Sequence, residues 1–239
     1  MDANIVKETC KNIIGVINNF PTTKKDDEII EEKLENTNFF RRDPKNLILE
    51  GEHIKIPRGH TGLMIEVHFG VIIKDDMENI YKEKALDYIE GYVVALNNRI
   101  CDTKYDFDGE DVAGTIEFHS DVAISEIVHK GFIENPNDLS IWCSVNNKEI
   151  QRSPLTEMFL TVQEILEKAS KHVDFSKGDI VLCGTPIGVK RVESDDTVEI
   201  GIDGHIRTQF AIEKENEIEP PREECPHGGR HLSRDFSAE

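Results

Sequence analysis

At 239 residues, with 38% hydrophobic and 31% charged positions, the chain can bury one sizeable core, hiding about 70% of its unfolded surface. A net charge of −19 argues against nucleic acid and anionic membrane surfaces as partners, because phosphates recruit Lys and Arg. A basic protein partner is compatible with it. The cysteines (Cys10, Cys101, Cys143, Cys183 and Cys225) are odd in number and contain no Cys-x-x-Cys pair, so they predict reduced thiols in a reducing compartment. No apolar run approaches the roughly 18 residues that span a bilayer, so no transmembrane segment is expected. The opening Met-Asp-Ala-Asn-Ile-Val-Lys-Glu has neither a signal-peptide core nor the Arg-rich character of a transit peptide. The expected compartment is the cytoplasm or, for an address invisible here, the mitochondrial matrix.

Taken in chain order, residues 1–49 form a divergent N-terminal segment. Ile13 to Ile17 reads as an opening strand, and the charged stretch Lys24 to Leu34 as a helix. From His53 to Ile73 apolar and polar residues alternate, predicting strands on either side of Pro57-Arg-Gly-His-Thr. Asn79 to Tyr88 is predicted helical, with Ile80, Ala85 and Leu86 on one face, and Gly91 to Leu96 is a buried strand. Asp102 to Gly114 is an acidic loop. Phe118 to Ile127, Leu139 to Val145 and Glu149 to Arg152 are strands between turns at Asn135-Pro136-Asn137 and Asn146-Asn147. Thr156 to Lys171 is the main predicted helix, whose stripe of Met158, Phe159, Val162, Ile165, Leu166 and Ala169 is a core face. Val198 to Ile202 and Ile206 to Ile212 close as a hairpin over Asp203-Gly204. Beyond residue 213 the chain is charged, carries Pro220-Pro221 and loses apolar periodicity, so 214–239 reads as an extended tail.

The most informative stretch is Lys177 to Val189. A Gly-Asp turn feeds the apolar run Ile180 to Cys183, which ends in Gly184-Thr185-Pro186 and is followed by Gly188. Glycines there permit positive φ and close approach of a ligand, and Pro186 fixes φ. A tight loop at a barrel rim and a ligand-binding loop both satisfy this composition.

These residues resemble the Gly-Asp…Thr-Gly-Thr-Pro-x-Gly-Val signature of the fumarylacetoacetate hydrolase family, the acylpyruvate hydrolase and oxaloacetate decarboxylase group. Three further stretches are similar to family motifs in the same order: Gly62 to Ile73, Ala85 to Asn97, and Leu139 to Arg152, the last with Val145-Asn146-Asn147 and Gln151. The resemblance covers roughly residues 50 to 213. It implies a mixed-β (α+β) fold: a β-roll or barrel with one main outer helix and, by analogy, a homodimer or larger assembly.

The resemblance also implies a metal site, in which two Glu on one strand and an Asp on the next hold Mg²⁺ or Mn²⁺ against a 2-oxo acid. Residues i and i+2 of a strand share a face, as such a site requires. Here those positions hold Glu66, His68 and Asn97, so a single carboxylate replaces three. A Glu-His-Asn set is poorer for a hard dication and closer to what Zn²⁺ accepts. The family's lid His-Glu pair has no counterpart, because no His precedes His53. Its active-site Lys aligns with Ile116, the mouth Arg with Cys101 and the nearby Gln with Lys104, while Arg99 lies two positions early. The substrate-binding positions Gly184, Thr185 and Pro186 are kept.

Other constellations are weaker. In the tail, Cys225, His227 and His231 offer three zinc ligands without a fourth. Asp106-Phe-Asp108-Gly-Glu-Asp111 lacks EF-hand spacing, and Cys183 reads as a small buried residue. The sequence therefore supports a family domain over 50–213, between segments 1–49 and 214–239. Its favoured function is a non-catalytic accessory subunit of a larger assembly, plausibly mitochondrial, with no cofactor. The alternative is a metal-dependent hydrolase or decarboxylase of 2-oxo acids such as acylpyruvates or oxaloacetate, using Mg²⁺, Mn²⁺ or Zn²⁺ at Glu66, His68 and Asn97.

Overall fold

Two long strands pair antiparallel along nearly their whole length and carry the candidate site at mid-span: Leu63–Ile73 and Ile89–Ile100. The computed structural model describes residues 1–21, 37–100 and 118–216. The expected helix Lys24 to Leu34, the acidic loop Asp102 to Gly114 and the tail ligands Cys225, His227 and His231 lie outside the described residues.

In chain order the elements are α1 (Ala3–Thr9), β1 (Ile13–Val16), β2 (Phe39–Arg42), β3 (Leu47–Leu49), β4 (Ile54–Ile56), β5 (Leu63–Ile73), α2 (Lys82–Ala85), β6 (Ile89–Ile100), β7 (Val122–Ile124), β8 (Val128–His129), β9 (Ser140–Val145), β10 (Lys148–Pro154), α3 (Val162–Ala169), β11 (Ile180–Leu182), β12 (Lys190–Val192), β13 (Thr197–Ile202) and β14 (Ile206–Lys214). The larger sheet runs β2-β1-β11-β5-β6-β7-β3, with β12 also on β5 and β8 also on β6. The smaller sheet runs β10-β9-β13-β14-β4. This is the expected mixed-β, curled-sheet α+β architecture.

Strand alternation divides the interior. Ile65, Val67, Phe69, Val71 and Ile73 of β5 join the main core, together with Ile141, Cys143, Val198, Ile200 and Phe210 of the smaller sheet. The opposite face of β5 and β6 contributes Ile72, Val93 and Ala95 to a second cluster, under Ala3 and Val6 of α1. Glu66 and His68 share that second face, because a strand's side chains alternate with period two.

Turn chemistry explains the connections. Asn146 and Asn147 both take positive φ, 49° and 64°, the signature of a two-residue hairpin turn between β9 and β10. The β13–β14 hairpin has a three-residue loop, Asp203-Gly204-His205, with Gly204 at φ 73°. Helix α3 starts on a capping box: Thr161 Oγ1 accepts from Glu164 N, and Glu164 Oε2 accepts from Thr161 N at 3.0 Å, worth about 1 kcal/mol.

Several predicted boundaries are corrected. Met158 and Phe159 precede α3, because Leu155–Glu157 forms a separate 3₁₀ turn and Thr161 is the true N-cap. The helix expected over Asn79 to Tyr88 shrinks to Lys82–Ala85 plus a 3₁₀ turn, since Asn79 sits at φ 44°. The Phe118 to Ile127 strand is confined to Val122–Ile124. The strands around Pro57 do not form a hairpin, because β4 pairs β14 and β5 pairs β6.

Candidate functional site

Register builds the site. Glu66 lies directly opposite Asn97 on the β5–β6 ladder, and the period of two brings His68 and Arg99 onto the same face. Asn97 Nδ2 donates to Glu66 Oε2 at 3.0 Å, and Arg99 donates to Glu66 Oε1. Asn97 Oδ1 accepts from Arg42 Nε at 2.8 Å, so the β2 guanidinium reaches the same network. Burial is nearly complete: Glu66 is 8% exposed, Arg42 4%, Asn97 3% and His68 1%.

Such burial pushes the Glu66 carboxyl up. The His68 imidazole, with Nε2 3.5 Å from Glu66 Oε2, the Arg99 guanidinium and the Asn97 amide together outweigh it and hold the group down at about 2. Glu66 is thus a fixed anion. Although His68 lies within ion-pair range of it, neither ring nitrogen makes a hydrogen bond. The Phe40 ring approaches His68 edge-on at 6.0 Å, and the Arg42 guanidinium lies 5.5 Å from the centre of that ring. Phe40 reaches this position across Gly15, its cross-strand neighbour.

The Gly184-Thr185-Pro186 loop adjoins this floor through a break in strand pairing. On one side β5 pairs with β11 at Gly70–Ile72 and with β12 at Leu63–Ile65, and residues 183–189 arch across the interval that holds Glu66 and His68. Gln151, 1% exposed, fills the gap: its Oε1 accepts from Val67 N at 3.0 Å, and its Nε2 donates to Thr185 Oγ1 at 3.0 Å and Pro186 O at 2.6 Å. Gly184 (φ 105°) has to be glycine for a second reason, because a Cβ there would stand 2.8 Å from the Cβ of Asn19. Asn19 in turn spans Leu160 and Cys183 through both ends of its amide.

The structure brings Glu66, His68 and Asn97 together, and Gln151 ties Thr185 to the backbone N–H of Val67, the residue between Glu66 and His68. Cys183 is fully buried and its thiol is pushed up to about 12 by burial, in keeping with a packing role. His53 pairs with Glu213 on the surface at 2.5 Å, and His119 is exposed. Sequence reasoning passed over Arg99, Arg42 and Gln151 as site residues. Arg99 had a signal, since it stands two residues after Asn97 on the same strand. Gln151 stood inside a quoted motif without a role, and Arg42 had no local signal.

The family model described as fumarylacetoacetate (FAA) hydrolase C-terminal matches residues 12–211. The chain belongs to the fumarylacetoacetate hydrolase family. It is 33% identical over 181 residues to the mitochondrial oxaloacetate tautomerase of Caenorhabditis elegans, covering 73% of this chain and 83% of that protein. It is 28% identical to the mitochondrial oxaloacetate decarboxylase of Dictyostelium discoideum, covering 82% and 91%. Among solved structures, a yeast fumarylacetoacetate hydrolase family protein superposes with TM-score 0.76 at 21% identity, over 91% of this chain and 99% of that one. A fumarylpyruvate hydrolase from Pseudomonas aeruginosa, solved with Mn²⁺ and pyruvate, does so with TM-score 0.73 at 19% identity, over 86% and 91%.

These relatives overturn the accessory-subunit reading. It rested on counting lost carboxylates, yet the similar proteins are named as enzymes acting on oxaloacetate. The family's divalent metal, however, does not fit the donors present. Both Glu66 oxygens and the Asn97 oxygen already accept from N–H donors, two of them on guanidinium groups. Among the described residues no group of three or more His, Cys, Asp or Glu is placed to hold a metal ion. No helix among them is long and apolar enough to cross a membrane.

Proposed function

We propose that this chain is an enzyme of 2-oxo dicarboxylic acids of the oxaloacetate class, interconverting their keto and enol forms. The carrying observation is the 33% identity to an oxaloacetate tautomerase, spread over 73% of the chain and 83% of that relative. In this reading the proton leaves the carbon next to the carbonyl, an enolate forms, and the carbonyl oxygen is protonated; the step balances without a co-reactant. Arg42 and Arg99, held by Asn97 and Glu66, stabilise the negative charge that develops. His68 is the titratable group placed to carry the proton, since its ring nitrogens make no hydrogen bond within the site. Thr185, with its oxygen fixed by Gln151 and its neighbours Gly184 and Pro186 holding the loop, binds a substrate carboxylate.

Charge supports an anionic substrate. A cavity of about 310 Å³ lined by Lys11, Arg41, Arg42, Asp43 and Pro44 shares only Arg42 with the site, and makes a cationic patch there on a chain of net charge −19. The Dictyostelium relative's name favours decarboxylation as the second reading; there the distal carboxylate leaves as CO₂, its bonding pair forms the enolate of pyruvate, and the negative charge develops on the same carbonyl oxygen. The mitochondrial compartment is carried over from the relatives' names, and self-association from the family resemblance.

The test follows the ultraviolet absorbance of enol-oxaloacetate together with pyruvate release. Faster loss of enol absorbance without pyruvate supports the tautomerase, and accelerated pyruvate release supports the decarboxylase. Neither signal above the buffer rate sinks the reading.

A further inference from the structure

We propose that the Arg99 guanidinium takes the place of the divalent cation at Glu66, so that this chain handles its 2-oxo acid without a metal. The inference rests on the reading above for the substrate, and on the geometry of four side chains for the cation.

Arg99 donates directly to Glu66 Oε1, with its side chain only 14% exposed. The second carboxylate oxygen is taken by Asn97 Nδ2 at 3.0 Å. The orientation of the Asn97 amide follows from its neighbours: its NH₂ faces a carboxylate and its oxygen faces the Arg42 guanidinium at 2.8 Å, and a flipped amide would oppose like poles on both sides. An amide coordinates a metal through oxygen, so Asn97 turns its non-coordinating end toward Glu66.

His68 is the remaining donor. A metal-bound imidazole nearly always donates its other N–H to a carboxylate or carbonyl, which fixes the tautomer, and neither His68 nitrogen has such a hydrogen bond. Mg²⁺ and Mn²⁺ favour about six oxygen ligands, whereas the described residues offer one carboxylate already bonded to a guanidinium. A fixed monocation on strand β6 therefore does the electrostatic work of a diffusible dication. It also supplies directed N–H donors to an oxyanion.

The experiment compares wild type with Arg99→Ala and with the double variant Arg99→Ala/Glu66→Gln. The readouts are bound metal after dialysis and thermal midpoint with Mg²⁺, Mn²⁺ or Zn²⁺, each alone and with oxalate as the oxo-acid probe. Wild type is expected to retain no stoichiometric metal, to show an unchanged midpoint with each cation, and to be stabilised by oxalate in EDTA. Arg99→Ala frees Glu66 Oε1 beside His68, a carboxylate–imidazole pair suited to Zn²⁺ rather than to Mg²⁺ or Mn²⁺, and is expected to gain a Zn²⁺-dependent rise of about 5–10 °C at a hundred times Kd, lost in the double variant. One equivalent of metal in wild type would overturn the proposal, as would no gain in Arg99→Ala or oxalate binding that requires metal. Should Arg99→Ala fail to fold, Arg99→Met keeps the packing stem and carries the same comparison. Turnover is read separately: a metal-free wild type without tautomerase activity would remove the enzyme reading and leave the cation substitution standing.

Discussion

Asn97 donates its amide N–H to Glu66 Oε2 at 3.0 Å from the position directly opposite on the β5–β6 ladder. Cross-strand neighbours have Cβ atoms only about 5 Å apart, so the register alone sets this bond. The same register brings Arg99 over Glu66 by the diagonal, and Arg42 closes the array from β2. Guanidinium, amide and carboxylate groups thus alternate across one face of the sheet.

The depressed Glu66 carboxyl makes the network pH-dependent. Its folded value of about 2 lies below the ordinary 4.5, so the stability it contributes is complete above about pH 4.5 and is lost as pH falls toward 2. The difference corresponds to about 3 kcal/mol in all, with roughly 2 of it gone by pH 3. Urea unfolding of wild type and Glu66→Gln at pH 6 and pH 3 checks this. The gap between the two proteins should narrow at the lower pH, and a constant gap would mean that ionisation of Glu66 is not its source.

Gln151 is expected to matter for both stability and binding. Its loss leaves the Val67 N–H without its partner and releases Thr185 and Pro186. Gln151→Ala should cost about 3 kcal/mol in denaturant unfolding. On the proposed function it should raise KM about tenfold while kcat changes less, because the loop holds substrate rather than reacting. Gln151→Glu should be worse, since a carboxylate oxygen would then face the Pro186 carbonyl now 2.6 Å from Nε2.

How far such features could be read beforehand varies with their origin. Glu66, His68 and Asn97 were legible because strand period and motif order are local properties, and the mixed-β fold followed from the resemblance of several ordered motifs to one family. Arg42 was not legible: it enters the site because β2 pairs with β1, and β1 reaches β5 through β11, a tertiary path with no local signature. Arg99 was set aside as misaligned with a family arginine, although its spacing from Asn97 already put it on the floor. The seven residues of α1 were too few for a periodic signal, and its burial depends on a sheet face built later in the chain. Counting carboxylates misled the functional reading, since relatives matching over most of the chain are named as enzymes acting on oxaloacetate.

Gly15 and Phe40 form a testable pair. A Cβ on Gly15 would run into the Phe40 ring, which is held over His68. Gly15→Ala should destabilise by about 1–3 kcal/mol, as overpacking does. In the double variant Gly15→Ala/Phe40→Ala the clash is gone, so the combined cost should fall short of the sum of the single costs. Additive costs would show that the ring does not depend on Gly15.

Asp179 tests the other half of the Gly-Asp turn. It is fully buried, and its carboxylate accepts from Lys11 N at 2.7 Å, Asn12 N at 2.9 Å, Asn12 Nδ2 at 2.7 Å and Ser176 N at 2.8 Å. These bonds pin the entry of β1 to the entry of β11, and β1 carries Gly15 under Phe40. Asp179→Asn keeps the shape but turns one acceptor into a donor facing N–H groups, so at least one buried bond becomes a repulsion. The expected loss is about 3 kcal/mol, together with faster amide exchange in β1 as its parallel pairing with β11 loosens. Unchanged exchange at Ile13 and Ile14 despite a lower denaturant midpoint would place the damage elsewhere, and the Gly-Asp signature would then be a turn former without a tie to the site.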